Sequence, residues 1–248
     1  MMKKLLLGAA ALMIAAPAAA QTVYSNNFDA PATVAGGVTA SLSGVTTVVG
    51  SGTVGLSGNF LRNGSLLSGA TASPTVLTLS GLAAHTSVDI NMIFGFMESW
   101  DSNNGVGGVT PDYVDIVIDG ITRISGLTVG NTSGSNFYYG GGTLVGSACT
   151  QADTFNGNYC DTIVDLSSSP LLNFAHSGST LTLQIFAYGD GWQGCNDEAW
   201  GMDNLSVTLA SPTQPGGVPE PATWAMMILG MGAIGYTMRR RRATLSFA

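Results

Sequence analysis

Val88, Ile90, Met92, Phe94 and Phe96 occupy every second position of one stretch, Val114, Ile116 and Ile118 of another, and Leu181, Leu183, Ile185 and Ala187 of a third. A period of two sends successive side chains to opposite faces of an extended chain, so each run reads as a strand with one face in a core. Asp115 and Asp119 fall on the outward face of the second run, and Asp119-Gly120 is a hairpin-turn signal directly after it. Leu205, Val207 and Leu209 close the series, with shorter candidates at 22–28, 45–49, 76–80, 121–124 and 163–166. Between residues 21 and 210 no stretch offers a helical period. Many short strands joined by Gly-rich turns predict an all-β sandwich, with the Gly/Ser/Thr/Val mixture of 33–81 supplying its edge strands and loops.

The two ends of the chain obey a different logic. Lys3 and Lys4 precede an apolar stretch at 5–16, and Ala18-Ala19-Ala20 follows as an A-x-A site. That order predicts a secretory signal peptide over 1–20, taken up by the Sec machinery and cut by signal peptidase before Gln21. At the far end, a Pro/Gly linker at 211–217 leads into Pro219-Glu220-Pro221, then Trp224. No charge occurs over 222–238, and Arg239, Arg240, Arg241 and Arg242 follow immediately. A spanning helix needs about 20 apolar residues, so 222–238 is a short transmembrane candidate. Trp224 sits at its expected outer interface and the arginines on its cytoplasmic flank, with 243–248 as a short cytoplasmic tail.

Pro219-Glu220-Pro221, Trp224-Ala225, the Gly-rich span and the arginine cluster, in that order, resemble the PEP-CTERM sorting signal of Gram-negative bacteria in its PEPxxWA form. The resemblance covers residues 218–242. It implies recognition by an exosortase, cleavage near the motif, and an exported protein of the cell surface or extracellular matrix, associated with exopolysaccharide or biofilm. Gly230-x-Gly232-x-x-Gly235 imitates a dinucleotide-binding pattern. That pattern needs a strand before it and an acidic residue about 20 positions after it, and here it has neither.

Charge narrows the function classes. The chain has eight Lys and Arg against 15 Asp and Glu, and the two ends hold all the cations except Arg62 and Arg123. Only Glu220 among the carboxylates lies outside the body. So acidic a domain repels phosphate backbones, which excludes nucleic acid as a partner; cations and neutral, hydroxyl-rich ligands remain.

Motifs for catalysis are sparse, and no catalytic residue is assigned. His85 and His176 sit in polar, turn-like sequence and read as surface residues, without the H-E-x-x-H spacing of a zinc protease. No G-x-S-x-G occurs. Paired carboxylates for glycoside hydrolysis depend on a separation that only the fold sets. Cys149, Cys160 and Cys195 make an odd count for an oxidising compartment, which predicts one disulfide and one free thiol. Cys149–Cys160 closes a small loop and is the first choice; Cys160–Cys195 is the rival.

The richest internal stretch runs from Gly189 to Asn204 and gathers Asp190, Asp197, Glu198 and Asp203 with Trp192 and Trp200. Its Asp-Glu-Ala-Trp-Gly-Met-Asp-Asn segment resembles the D-E-x-W-G-x-D-N closing motif of secreted bacterial jelly-roll domains; Ser99-Trp100-Asp101 and Pro111-Asp112-Tyr113 fit the same group. That resemblance implies a jelly-roll ectodomain over 21–210 and leaves its activity open. In one reading, exposed Trp100, Trp192, Trp200, Tyr138 and Tyr139 stack on sugar rings while Asp101 and its neighbours bond hydroxyls. In another, the tryptophans plug the core of a structural matrix protein; a polysaccharide-degrading enzyme is the third. The resemblance also implies a structural Ca²⁺ where the opening and closing strands meet, with Asn27, Asp29 and Asp203 as ligands. The plain alternative is that Asp29 and Asp203 cap turns.

Overall fold

The structure, a computed structural model, describes residues 20–50, 55–65, 72–102, 110–130, 137–148, 161–194, 197–211 and 221–242. Residues 1–19 of the expected signal peptide, the three cysteines, residues 212–217 of the linker, Pro219, Glu220 and the tail lie outside the described residues, as do the side chains of Arg240, Arg241 and Arg242.

Fourteen strands are described between Ala20 and Ala210: β1 (Ala20–Asn26), β2 (Thr33–Val34), β3 (Thr39–Gly44), β4 (Val48–Gly50), β5 (Asn59–Asn63), β6 (Thr75–Ser80), β7 (Ser87–Glu98), β8 (Tyr113–Ile118), β9 (Ile121–Leu127), β10 (Thr143–Ala148), β11 (Asp161–Asp165), β12 (Asn173–Ala175), β13 (Thr180–Tyr188) and β14 (Glu198–Ala210). They form two antiparallel sheets. The larger runs β10-β11-β7-β14-β1-β2, with β12 on β7 and the β4–β5 pair on β14; the smaller runs β3-β6-β13-β8-β9. The chain is therefore mostly β, a sandwich consistent with a jelly-roll-like ectodomain. Residues 33–81 supply β2 to β6, of which β2, β3 and β4 lie at sheet edges while β5 and β6 have partners on both sides. Asp119 and Gly120 both take positive φ, 52° and 76°, which gives the β8–β9 hairpin the backbone twist its two strands require.

The alternating residues meet between the sheets. Val88, Ile90, Met92, Phe94 and Phe96 from β7 pack with Val114, Ile116 and Ile118 from β8 and with Leu181, Leu183 and Ile185 from β13, all essentially without solvent exposure. Beyond Phe94 the alternation on β7 stops and both faces are buried. A second, smaller cluster of Leu56, Phe60, Met97, Ile163 and Ala199 covers the outer face there. Gly95 and Gly201, direct partners across β7 and β14, make room for it: a Cβ on Gly201 would meet Met97 Cε and come within 3.0 Å of the Phe60 ring.

β14 begins at Glu198, well before the closing strand expected from Leu205 onward, so Asp203-Asn204 lies inside the strand. Its first part pairs with β5 and its last part with β1 along one edge, with a register shift between Asp203 and Ser206 where Asn204 adopts φ 52°. This bulge lets one long strand take two partners in succession.

The sandwich, residues Ala19–Pro212, is one compact unit, and the C-terminal segment belongs to another. In the latter, Pro221–Arg242 is a single α-helix, α1. Among the described residues no helix is long and apolar enough to cross a membrane. Gly230, Gly232, Gly235, Thr223, Tyr236 and Thr237 dilute the apolar side chains of α1.

Candidate functional site

Three carboxylates from distant parts of the sequence converge at one end of the sandwich. Asp101 follows β7, Asp112 precedes β8, and Glu198 opens β14; one oxygen from each lies within 4.8 Å of the others. Asp112 and Glu198 are fully buried, while Asp101 is partly exposed.

The backbone fixes this convergence. Asp101 and Asp112 bond each other reciprocally: Asp112 N–H donates to the Asp101 carbonyl at 2.9 Å, and Asp101 N–H donates to Asp112 Oδ2 at 2.8 Å. Glu198 Oε2 accepts from the N–H groups of Gln193 and Gly194, which ties it to the loop after β13. Gly191 lies against the same place, since a Cβ there would stand 2.9 Å from Asp112 Oδ1 and collide with the Thr110 carbonyl. Each buried acid thus commits one oxygen to main-chain donors. The other oxygens, Asp112 Oδ1 and Glu198 Oε1, have no hydrogen-bond partner.

Burial and crowding set the acidity of the cluster. Asp112 is pushed up to about 8, by burial first and then by the charge of Glu198. Glu198 is pushed up to about 7 by burial, against the lowering effect of the Gln193 and Gly194 amides. Burial, then Asp197, raises Asp101. A carboxylate taken from water without a counter-charge favours its neutral form.

Aromatic residues flank these carboxylates in the sequence. Trp100 and Trp192 meet with centroids 5.5 Å apart; Trp100 Nε1–H donates to the Ala199 carbonyl at 2.7 Å and Trp192 Nε1–H to the Ser65 carbonyl at 3.1 Å. Trp200 stacks on Phe94 at 5.4 Å. Trp100 and Trp200 have no exposed surface and Trp192 keeps only 7 %. Of the two readings of the tryptophans, exposed sugar-stacking faces do not fit this burial and core plugs do: these rings are core, held by aromatic neighbours. Tyr138 is exposed, beside an exposed Phe137, and Tyr139 packs on the edge of the core.

The histidines are also not surface residues. His85 is buried, and it joins His176 in a hydrogen-bonded chain from the Ala83 carbonyl to Asp119.

The opening and closing strands do lie side by side, β1 against β14. Asp29 and Asp203 are near enough for the charge of Asp29 to raise Asp203, although burial is the larger cause. Each is also engaged by the main chain: Asp29 Oδ1 accepts from Asn59 N–H at 2.7 Å at the start of β5, and Asp203 Oδ1 from Asn204 N–H at 2.6 Å within the β14 bulge. Asn27 is exposed and lines a shallow cleft with Ser25, Pro31 and Asn204.

Sequence reading singled out Asp101 but not its partners. Glu198 sat unassigned in the carboxylate-rich stretch, and Asp112 entered only through its Pro-Asp-Tyr context. The signal that unites them is that both loops join strands of opposite sheets, which needs the topology.

No curated protein matches the chain. A model of the PEP-CTERM protein-sorting motif matches residues 217–242, so this chain carries that motif directly after its β-sandwich body.

Proposed function

We propose that the chain is a structural protein of the cell surface or extracellular matrix, associated with exopolysaccharide, whose sandwich is the exported cargo and whose C-terminus is removed by an exosortase. The PEP-CTERM motif carries the reading, because it implies export, membrane anchoring before processing, and an exosortase as processing partner. In this reading 1–20 is removed as a signal peptide on Sec export, and the C-terminal sorting segment anchors the chain to the membrane until it is cut. Trp224 and Arg239 at its two ends suit an interface and a cytoplasmic flank. Replacing Pro219, Glu220 and Pro221 by alanine tests it: the variant should accumulate as a larger, membrane-retained form, and unchanged processing would refute exosortase recognition.

The body is assigned no catalysis. Asp112 and Glu198 have the raised pKa values of catalytic acids, but both are fully buried and present no exposed surface to a glycosidic bond. Release of reducing ends from exopolysaccharide by the purified protein would contradict this. Carbohydrate binding is a second reading, and it moves to Tyr138 and Phe137, whose rings are exposed. It predicts retardation on polysaccharide affinity gels that Tyr138→Ala removes and Trp192→Phe keeps.

A structural Ca²⁺ is part of the same proposal. The nearness of Asp29 and Asp203 supports Asn27, Asp29 and Asp203 as one place for it.

A further inference from the structure

We infer that Asp101, Asp112 and Glu198 hold a divalent cation, calcium by its chemistry, which locks together the two connections that join the sheets at this end of the sandwich. Two observations carry this independently of the clustering of acids. Asp112 Oδ1 and Glu198 Oε1 belong to fully buried side chains and have no hydrogen-bond partner. Their sister oxygens are already anchored by main-chain amides, so the bare oxygens are aimed and cannot turn away to find donors. A buried carboxylate oxygen with nothing to accept costs the desolvation of that group, and a cation removes the cost for all of them at once.

The donor set selects the ion. All three side chains offer hard carboxylate oxygens, which suit Ca²⁺ or Mg²⁺ and not the thiolate- and imidazole-seeking metals. Calcium accepts irregular sets of six to eight oxygens at about 2.3–2.6 Å, with main-chain carbonyls and water completing what side chains leave open. Magnesium demands a near-octahedral set and gives up its water reluctantly. Partly exposed Asp101 gives the ion a way in.

The competing occupant of the same geometry is a proton shared between Asp112 and Glu198. The ion is also distinct from one at Asp29 and Asp203, which lie at the β1–β14 bulge. The experiment uses the full chain in mild detergent, stripped with chelator and titrated with CaCl₂ and separately with MgCl₂ by calorimetry, alongside Asp101→Asn, Glu198→Gln and Asp203→Ala. The inference expects a calcium site that Glu198→Gln abolishes, that Asp101→Asn weakens at least tenfold, and that Asp203→Ala leaves intact, with magnesium at least tenfold weaker. Asp101, being partly exposed, provides the variant that keeps its fold; an unchanged circular dichroism spectrum verifies that. No calcium binding to the wild type leaves the shared proton and overturns the inference. Binding lost only in Asp203→Ala overturns it in favour of the bulge.

Discussion

His85 Nε2 and His176 Nδ1 lie 2.6 Å apart, a direct ring-to-ring hydrogen bond between residues on opposite sides of β7 to β12 in the sequence. The His85 Nδ1 on the other side is 2.6 Å from the Ala83 carbonyl, and His176 Nε2 is 3.2 Å from Asp119 Oδ2. Because a carbonyl only accepts, His85 Nδ1 carries a hydrogen, and the chain fastens the turn before β7 to the β8–β9 hairpin.

Truncating His176 to alanine strands His85 Nε2 inside the protein. The expected cost is about 1–3 kcal/mol, the penalty of a buried polar atom without a partner. Urea unfolding of His176→Ala checks it; a midpoint equal to that of the wild type would make the chain energetically idle.

The acidic cluster fixes a pH dependence whose sign follows from its raised pKa values. Asp112 and Glu198 bind protons more tightly folded than unfolded, up to about 8 and about 7. Between the ordinary carboxyl range and pH 8 the folded state therefore holds more protons than the unfolded one, and stability falls as pH rises. In chelator, the melting temperature should drop from pH 5 to pH 8.5. Calcium should restore it at pH 8.5 and change little at pH 5, where protons already neutralise the site. Stability that rises with pH in chelator would contradict the placement of these acids.

Gly201→Ala should destabilise the sandwich by about 1–3 kcal/mol, the range for overpacking a filled core. Met97 Cε can swing aside, but the Phe60 ring at 3.0 Å is carried by β5 and fully buried in the second cluster, so that cluster must open. Thermal melts check the loss, and a matched Gly36→Ala, whose Cβ meets nothing, is the control.

The sandwich was legible where a strand buries one face. β7, β8 and β13 show their alternation openly, and Asp119-Gly120 named its own turn. The start of β14 was hidden because Glu198 to Asp203 is buried on both faces and carries two carboxylates and a glycine, which read as a loop. β3 was anticipated only as an unplaced edge strand within 33–81, and β10 not at all, for the opposite reason. Both are edge strands of small or exposed residues, without an apolar face to announce them. The tryptophans pointed to a site, but polarity around them in sequence says nothing of which way a ring faces. Trp100 and Trp200 both turned inward, Trp100 edge-to-face with Phe96 and Trp200 stacked on Phe94. The carboxylate cluster depends on loops that approach only once both sheets have formed, and no local pattern encodes that.

The most direct test is the intact mass of the mature protein recovered from the surface or medium of its native host. Processing at both ends predicts a chain that begins at Gln21 and ends near Pro219-Glu220-Pro221, without Trp224 or Arg239 to Arg242. A mature protein that still carries the arginine cluster would contradict the account and leave the C-terminal helix as a permanent part of the molecule.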